Sequence, residues 1–172
     1  MTFTLDSSSI NSSDNRAYAS QAESIASAIS VFKALSVDDQ LSLLWSVYTE
    51  MGRSITPAAT GPARLHLAEG LLNQIKEMEF SEQLKAIRDL VSQRNTPVSR
   101  AYGVLSPNTK LAFWYELSEM MVKGIVVPVP ISYQLSNDGI AVLATLKELD
   151  FGQQITILRK IVSDMGVDPL AE

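Results

Sequence analysis

Few residues in this chain are of a type that could do covalent chemistry. His66 is the only histidine and there is no cysteine. Disulfides, thiolate metal sites and cysteine nucleophiles are therefore excluded. A serine triad would depend on His66, yet no nucleophile elbow surrounds any serine. A metal site normally gathers several His or carboxylate ligands, so His66 reads as a polar helix position. Asp38, Asp39, Asp89, Glu116, Glu119 and Asp164 are scattered, and no Glu-x-x-His motif accompanies them. They read as solvated helix faces. Neither G-x-G-x-x-G nor a P-loop is present. What remains is an aromatic and thioether set: Trp45, Tyr48, Met51, Trp114, Tyr115, Met120 and Met121. Flat rings with adaptable thioethers suit a long apolar molecule held by burial, at roughly 25 cal/mol per Å². Taken one helix at a time, the same residues would be plain core, which leaves a helical adaptor without a ligand as the competing class.

The elements that must carry this set are helical. From Ala17 on, apolar residues recur at three- and four-residue spacing, as in Ile25, Ile29 and Phe32. Ser36 with Asp39 has capping-box spacing before a helix holding Leu41, Leu44, Trp45, Tyr48 and Met51, which stops at Gly52. Thr56-Pro57, Thr96-Pro97 and Ser106-Pro107 each place a capping hydroxyl before a first-turn proline. The last of these opens the helix with Leu111, Trp114, Tyr115 and Met121, ending at Gly124. Ile125 to Tyr133 (IVVPVPISY) is Pro-broken and non-helical, with no partner to make it a strand. Residues 1–16, rich in serine and asparagine, are expected to form a flexible arm. Residues 17–172 are expected to form one helical domain.

The chain contains an internal repeat. LSVDDQLSLLWSVYTEM (Leu35 to Met51) aligns with LSPNTKLAFWYELSEMM (Leu105 to Met121), so Trp45 falls opposite Tyr115 and Leu44 opposite Trp114. EFSEQLKAIRDLV (Glu79 to Val91) aligns with DFGQQITILRKIV (Asp150 to Val162), pairing Phe80 with Phe151, Gln83 with Gln154 and Arg88 with Arg159. LLNQIKEM and VLATLKEL correspond between them. Three helices recur in one order, so two sub-bundles related by a pseudo-two-fold would each present an aromatic helix to the axis.

Composition narrows the partners. Of 172 residues, 46% are hydrophobic and 19% charged, an ordinary globular balance, and no apolar run is long enough to span a membrane. The net charge of −5 disfavours nucleic acid and anionic membrane. Arg88, Arg94, Arg100, Arg159 and Lys160 could still share a basic face. No secretory signal is evident, which places the chain in the cytoplasm.

LSxDDQLxLLWxxYxEMG, SPNxKLxFWYEL and GQQITxLRxxVxDMG resemble the N-terminal helical domain of the orange carotenoid protein family. They resemble still more the stand-alone helical carotenoid proteins of cyanobacteria, from about Val31 to Met165. The resemblance implies an all-α fold of two interleaved four-helix bundles with a ketocarotenoid, of canthaxanthin or echinenone type, threaded between them. It implies a non-enzymatic photoprotective role, chiefly quenching of singlet oxygen, with carotenoid transport or direct quenching of phycobilisome excitation as alternatives. Carried over residue by residue, the pigment-lining positions are Leu41, Leu44, Trp45, Tyr48, Leu84, Ile87, Leu111, Trp114, Tyr115, Ser118, Met121, Val129, Tyr133 and Ile155. Tyr48 and Trp114 would stack near one terminal ring. Ser118 stands where photoswitching relatives commonly have glycine, which questions the local clearance. Asn108 and Arg159 match positions of an interdomain and phycobilisome-docking surface. The chain ends at Glu172 without a second domain, so binding and quenching are expected without an intramolecular light switch. The implied partners are the carotenoid, the phycobilisome at the thylakoid surface, or a separate homologue of the second domain.

Overall fold

The structure is a computed structural model that describes residues 10–52 and 62–171. Among these residues every regular element is a helix: α1 (Ile10–Ala34), α2 (Val37–Met51), α3 (Pro62–Lys76), α4 (Phe80–Val91), α5 (Pro97–Gly103), α6 (Pro107–Val122), α7 (Asn137–Glu148) and α8 (Phe151–Ser163). No described helix is long and apolar enough to cross a membrane.

Local chemistry sets the helix ends. Ser36, Thr96 and Ser106 accept from the backbone N–H groups of Asp39, Ser99 and Thr109, satisfying donors the first turn leaves open. Pro97 and Pro107 follow the latter two at the first helical turn. Full capping boxes form instead at Glu79 with Glu82 and at Asp150 with Gln153. At the C-terminus of α6, Gly124 sits at φ 69°, its N–H donates to the Met121 carbonyl, and Ile125 donates to Met120. That is a Schellman turn, and glycine takes the left-handed position at no steric cost. Gly52 also follows a helix, but at φ −59°, so it ends α2 without a left-handed turn. Thr56-Pro57 lies outside the described residues.

One expectation about the chain's start is corrected. The stretch read as a flexible arm through residue 16 is helical from Ile10, with residues 13–16 exposed, and only residues 1–9 lie outside the described residues. Serine and asparagine cost a helix only a few tenths of a kcal/mol each, so elongation from a nucleated helix overrides them.

The packing follows the repeat. α1 packs on α7 and α8, as α5 packs on α3 and α4; α2 packs on α7 and α4, as α6 packs on α3 and α8; α2 meets α6 at the axis. Exchanging the halves of the chain maps each of these contacts onto another or onto itself. The result is two interleaved bundles, α1-α2-α7-α8 and α3-α4-α5-α6, each completed by helices from the other half. Their core includes Phe32, Leu43, Ile75, Ile87, Leu90, Phe113, Leu117, Leu146 and Ile157.

Candidate functional site

α2 and α6 bring their aromatic residues to the seam between the bundles. One cavity there, of about 160 Å³, is lined by Leu41, Leu44, Trp45, Leu84, Ile87, Trp114, Ser118, Met121, Val127, Val129 and Tyr133, with Asp38, Arg88, Pro128 and Pro130. A second, of about 50 Å³, is lined by Leu44, Val47, Tyr48, Gly52, Leu111, Trp114, Tyr115, Ser118, Leu158 and Val162. Leu44, Trp114 and Ser118 line both, so these three side chains form the partition. Both voids are smaller than the roughly 300–1,000 Å³ of small-molecule pockets. A molecule using both must displace part of that partition.

The partition has one fixed member. Trp114 is 6% exposed, its indole N–H donates to the Tyr102 hydroxyl at 2.9 Å, and Phe113 meets its ring edge-on at 5.6 Å. The Ser118 hydroxyl donates to the Trp114 carbonyl at 2.9 Å. Turned back onto its own helix, it leaves no unmet polar demand in the apolar middle of the site.

The two outer ends are polar. Beside the smaller cavity, Tyr48 donates to the Glu119 carboxylate, and its ring lies 5.8 Å from Trp45 and 5.6 Å from Tyr115. The hydrogen bond to Glu119 and burial push the Tyr48 phenol up to about 12. At the larger cavity, Arg88 grips Asp38 with two bonds of 2.8 and 2.9 Å. Next to it Asp39, 8% exposed, accepts from the Tyr133 hydroxyl at 2.8 Å and the Ser136 N–H at 3.3 Å. Bonds from Ser136, opposed by burial and helped by Tyr133, hold its carboxyl below the usual range. The backbone of the Pro-broken segment is fixed from the other side by buried Gln83, which donates to the Ile125 carbonyl at 3.2 Å and accepts from the Val127 N–H at 2.8 Å. Its repeat mate Gln154 instead donates to Leu146 and Leu149. The repeat breaks there, and the break positions one wall.

The expected carboxylate roles change. Asp39 completes no capping box with Ser36, because its side chain is spent on Tyr133 and Ser136. Asp89 and Asp164 are also not simply solvated: Asp89 pairs with Lys85 at 2.6 Å, and Asp164 with Lys33 at 2.5 Å and Lys160 at 3.3 Å. Three members of the basic face, Arg88, Arg94 and Lys160, are paired with carboxylates. Arg88 is paired with Asp38, Arg94 lies 3.7 Å from Asp89, and Arg100 donates to Asn95. Asn108 and Arg159 are half-buried on α6 and α8. His66 is exposed and pairs with Glu69 at 2.9 Å, and no cluster that could hold a metal occurs among the described residues.

Of the fourteen expected lining positions, the two cavities gather every one except Ile155, which is buried in α8 and lines neither. Leu158 and Val162, one and two turns further along the same stripe, line the smaller cavity. Val47, three residues after Leu44, was also legible from helical spacing. Asp38, Arg88, Gly52 and the prolines carry no comparable signal.

Residues 18–168 match the family described as orange carotenoid protein, N-terminal. The chain belongs to that family. It is 67% identical over 173 residues to an orange carotenoid-binding domain-containing protein of Nostoc sp., covering all of both chains. Among solved structures it is 50% identical to the Anabaena (Nostoc) orange carotenoid protein binding canthaxanthin, with a TM-score of 0.77, covering 84% of this chain and 46% of that one. It is 43% identical to the Anabaena (Nostoc) red carotenoid protein binding canthaxanthin, with a TM-score of 0.74, covering 83% of this chain and 97% of that one. The chain thus spans about half of the first protein and nearly all of the second.

Proposed function

We propose that this protein holds a carotenoid, of the ketocarotenoid class, along the seam between its bundles and serves in photoprotection. The observation that carries this reading is the pair of cavities that meet at Leu44, Trp114 and Ser118. They describe one line, apolar and aromatic in the middle and polar at both ends, the profile of a long hydrocarbon with oxygenated termini. The residues fit such a group: Leu41, Leu44, Ile87, Leu111 and Met121 offer burial without hydrogen-bond demand, while Trp114 and the Trp45–Tyr48–Tyr115 cluster offer ring faces. Arg88 is the donor beside one end, where the Tyr133 hydroxyl already donates to Asp39. When bound, a conjugated polyene accepts excitation from singlet oxygen and releases it as heat. The protein's own work is to bind, orient and shield it.

Every named lining residue falls between positions 38 and 162 of this chain. Two measurements test this reading. The loaded protein should shorten the lifetime of photosensitised singlet oxygen well beyond an equal concentration of pigment-free protein, and its light-minus-dark difference spectrum should be flat. Equal lifetimes would refute the quenching role. Direct docking to phycobilisomes at Arg159 and Asn108 draws less support, because Arg88, Arg94 and Lys160 are already engaged by carboxylates. On this reading, phycobilisome fluorescence lifetimes stay unchanged when loaded protein is added.

A further inference from the structure

The two halves of the chain differ most tellingly behind the cavity wall, where the repeat offers its own control. Tyr102, Lys110 and Trp114 stand opposite Phe32, Gln40 and Leu44 in the alignment that pairs Leu105 with Leu35. In the first half nothing links the corresponding side chains: Phe32 and Leu44 are apolar, and the Gln40 amide donates to the Leu35 carbonyl at 3.0 Å. In the second half all three are joined. Trp114 donates to the Tyr102 hydroxyl at 2.9 Å, that hydroxyl donates to the Val162 carbonyl at 2.6 Å, and the Lys110 ammonium lies 4.9 Å from the Tyr102 ring centroid. Lys110, 6% exposed, is held there by the Ser163 and Met165 carbonyls at 2.9 and 3.4 Å.

Tyr102 is fully buried and lines neither cavity, yet its one hydroxyl ties together two residues that do, Trp114 on α6 and Val162 on α8. Its own ring is confined. Phe113 packs edge-on at 5.2 Å, and the turn at Gly166 comes so close that an added Cβ would stand 2.6 Å from Tyr102 Cδ1. A closely packed phenol is bonded to an indole that separates the two cavities. Tyrosine occurs where the facing position is tryptophan, and phenylalanine where it is leucine, so the polar atoms come as a matched pair.

We propose that Tyr102 is a positioning residue: from behind the wall it fixes the plane that the Trp114 indole turns toward the seam, and so tunes how a bound polyene fits there. The second half of this statement rests on the carotenoid reading; the first does not. The test is Tyr102→Phe, which removes only the hydroxyl, with Phe32→Leu at the counterpart position as a control for loosened packing. In pigment-free protein labelled with ¹⁵N, the Trp114 indole N–H resonance should shift and exchange faster with water in Y102F, while that of Trp45 stays in place. In loaded protein, Y102F should move the absorption maximum and release pigment roughly fivefold faster, the factor expected for losing the one of its two buried hydrogen bonds that holds Trp114. F32L should do neither. An unchanged Trp114 resonance in Y102F, or the same changes in F32L, would overturn the proposal. If Y102F does not fold, the wild-type resonance decides, and a Trp114 N–H exchanging as fast as that of Trp45 overturns it. A wild-type protein without pigment would defeat the carotenoid reading alone, because the indole resonance still tests Tyr102.

Discussion

Removing the Asp39 carboxylate should loosen one wall of the site selectively. Asp39→Ala deprives the Tyr133 hydroxyl and the Ser136 N–H of their acceptor. Hydrogen bonds to a charged group contribute about 1.5–3 kcal/mol each. The Ser136 bond is long and the half-buried Tyr133 can turn to water, so both fall at or below the low end. Adding a few tenths for an acidic residue in the first turn of α2, the loss is about 2–3 kcal/mol. Asp39→Asn keeps an acceptor and loses only charge, and should cost about 1 kcal/mol. Urea unfolding measures both, and hydrogen exchange locates them: amides from about 129 to 136 should open, while Ile125 to Val127, held by Gln83, stay protected. The pH dependence has a definite sign. Asp39 titrates below its ordinary 3.8 in the folded chain, so its contribution is complete above that value and is lost as pH falls through the folded value. The gap between wild type and D39A should therefore close in acid. A loss below about 0.5 kcal/mol, or exchange that rises evenly over the chain, would refute the reasoning.

The remaining predictions concern the rings and the turns. Tyr48 is pushed up to about 12 from an ordinary 10, so its contribution is intact below pH 10 and disappears as pH rises toward 12. Tyr48→Phe should flatten that alkaline decline, as followed by circular dichroism. Trp114→Ala should lower apoprotein stability by about 3–5 kcal/mol, the usual cost for a buried tryptophan, whereas half-buried Tyr48→Ala should cost less and act chiefly on pigment retention. That makes Tyr48, rather than Trp114, the residue that separates a binding role from a packing role. Gly124→Ala should cost about 1 kcal/mol, because φ is 69° but the space is open. Gly166→Ala should cost clearly more in the same thermal melts, since its Cβ would also meet Tyr102 and the Ser99 carbonyl at 2.6 and 2.9 Å.

Much of the fold was legible because its signals are local or repeated. Ser36, Thr96 and Ser106 announce their helices through hydroxyls three residues from the N–H they accept. The repeat foretold the exchange symmetry of the packing, since a sub-bundle that recurs in sequence recurs in contacts. The lining residues on α2 and α6 followed from helical spacing joined to the family resemblance. Ile155 shares the α8 stripe of Leu158 and Val162, and periodicity gives such a stripe without saying which stretch of it lines the cavities. Illegible were contacts between distant positions: Asp39 with Tyr133, Gln83 with Ile125 and Val127, Lys33 with Asp164, and Trp114 with Tyr102. A carboxylate bound to a tyrosine 94 positions away looks like any surface aspartate in the sequence. The start of α1 was missed for the opposite reason, because local preference for turns was credited over cheap elongation of an existing helix.

The most direct test of the central claim is an absorption spectrum of the protein purified from a carotenoid-producing host, with mass spectrometry of the extracted pigment. The account predicts a coloured protein carrying one ketocarotenoid per chain, its absorption shifted from that of the free pigment. A colourless protein with full helical circular dichroism from the same host would contradict it and leave the paired aromatic helices as core.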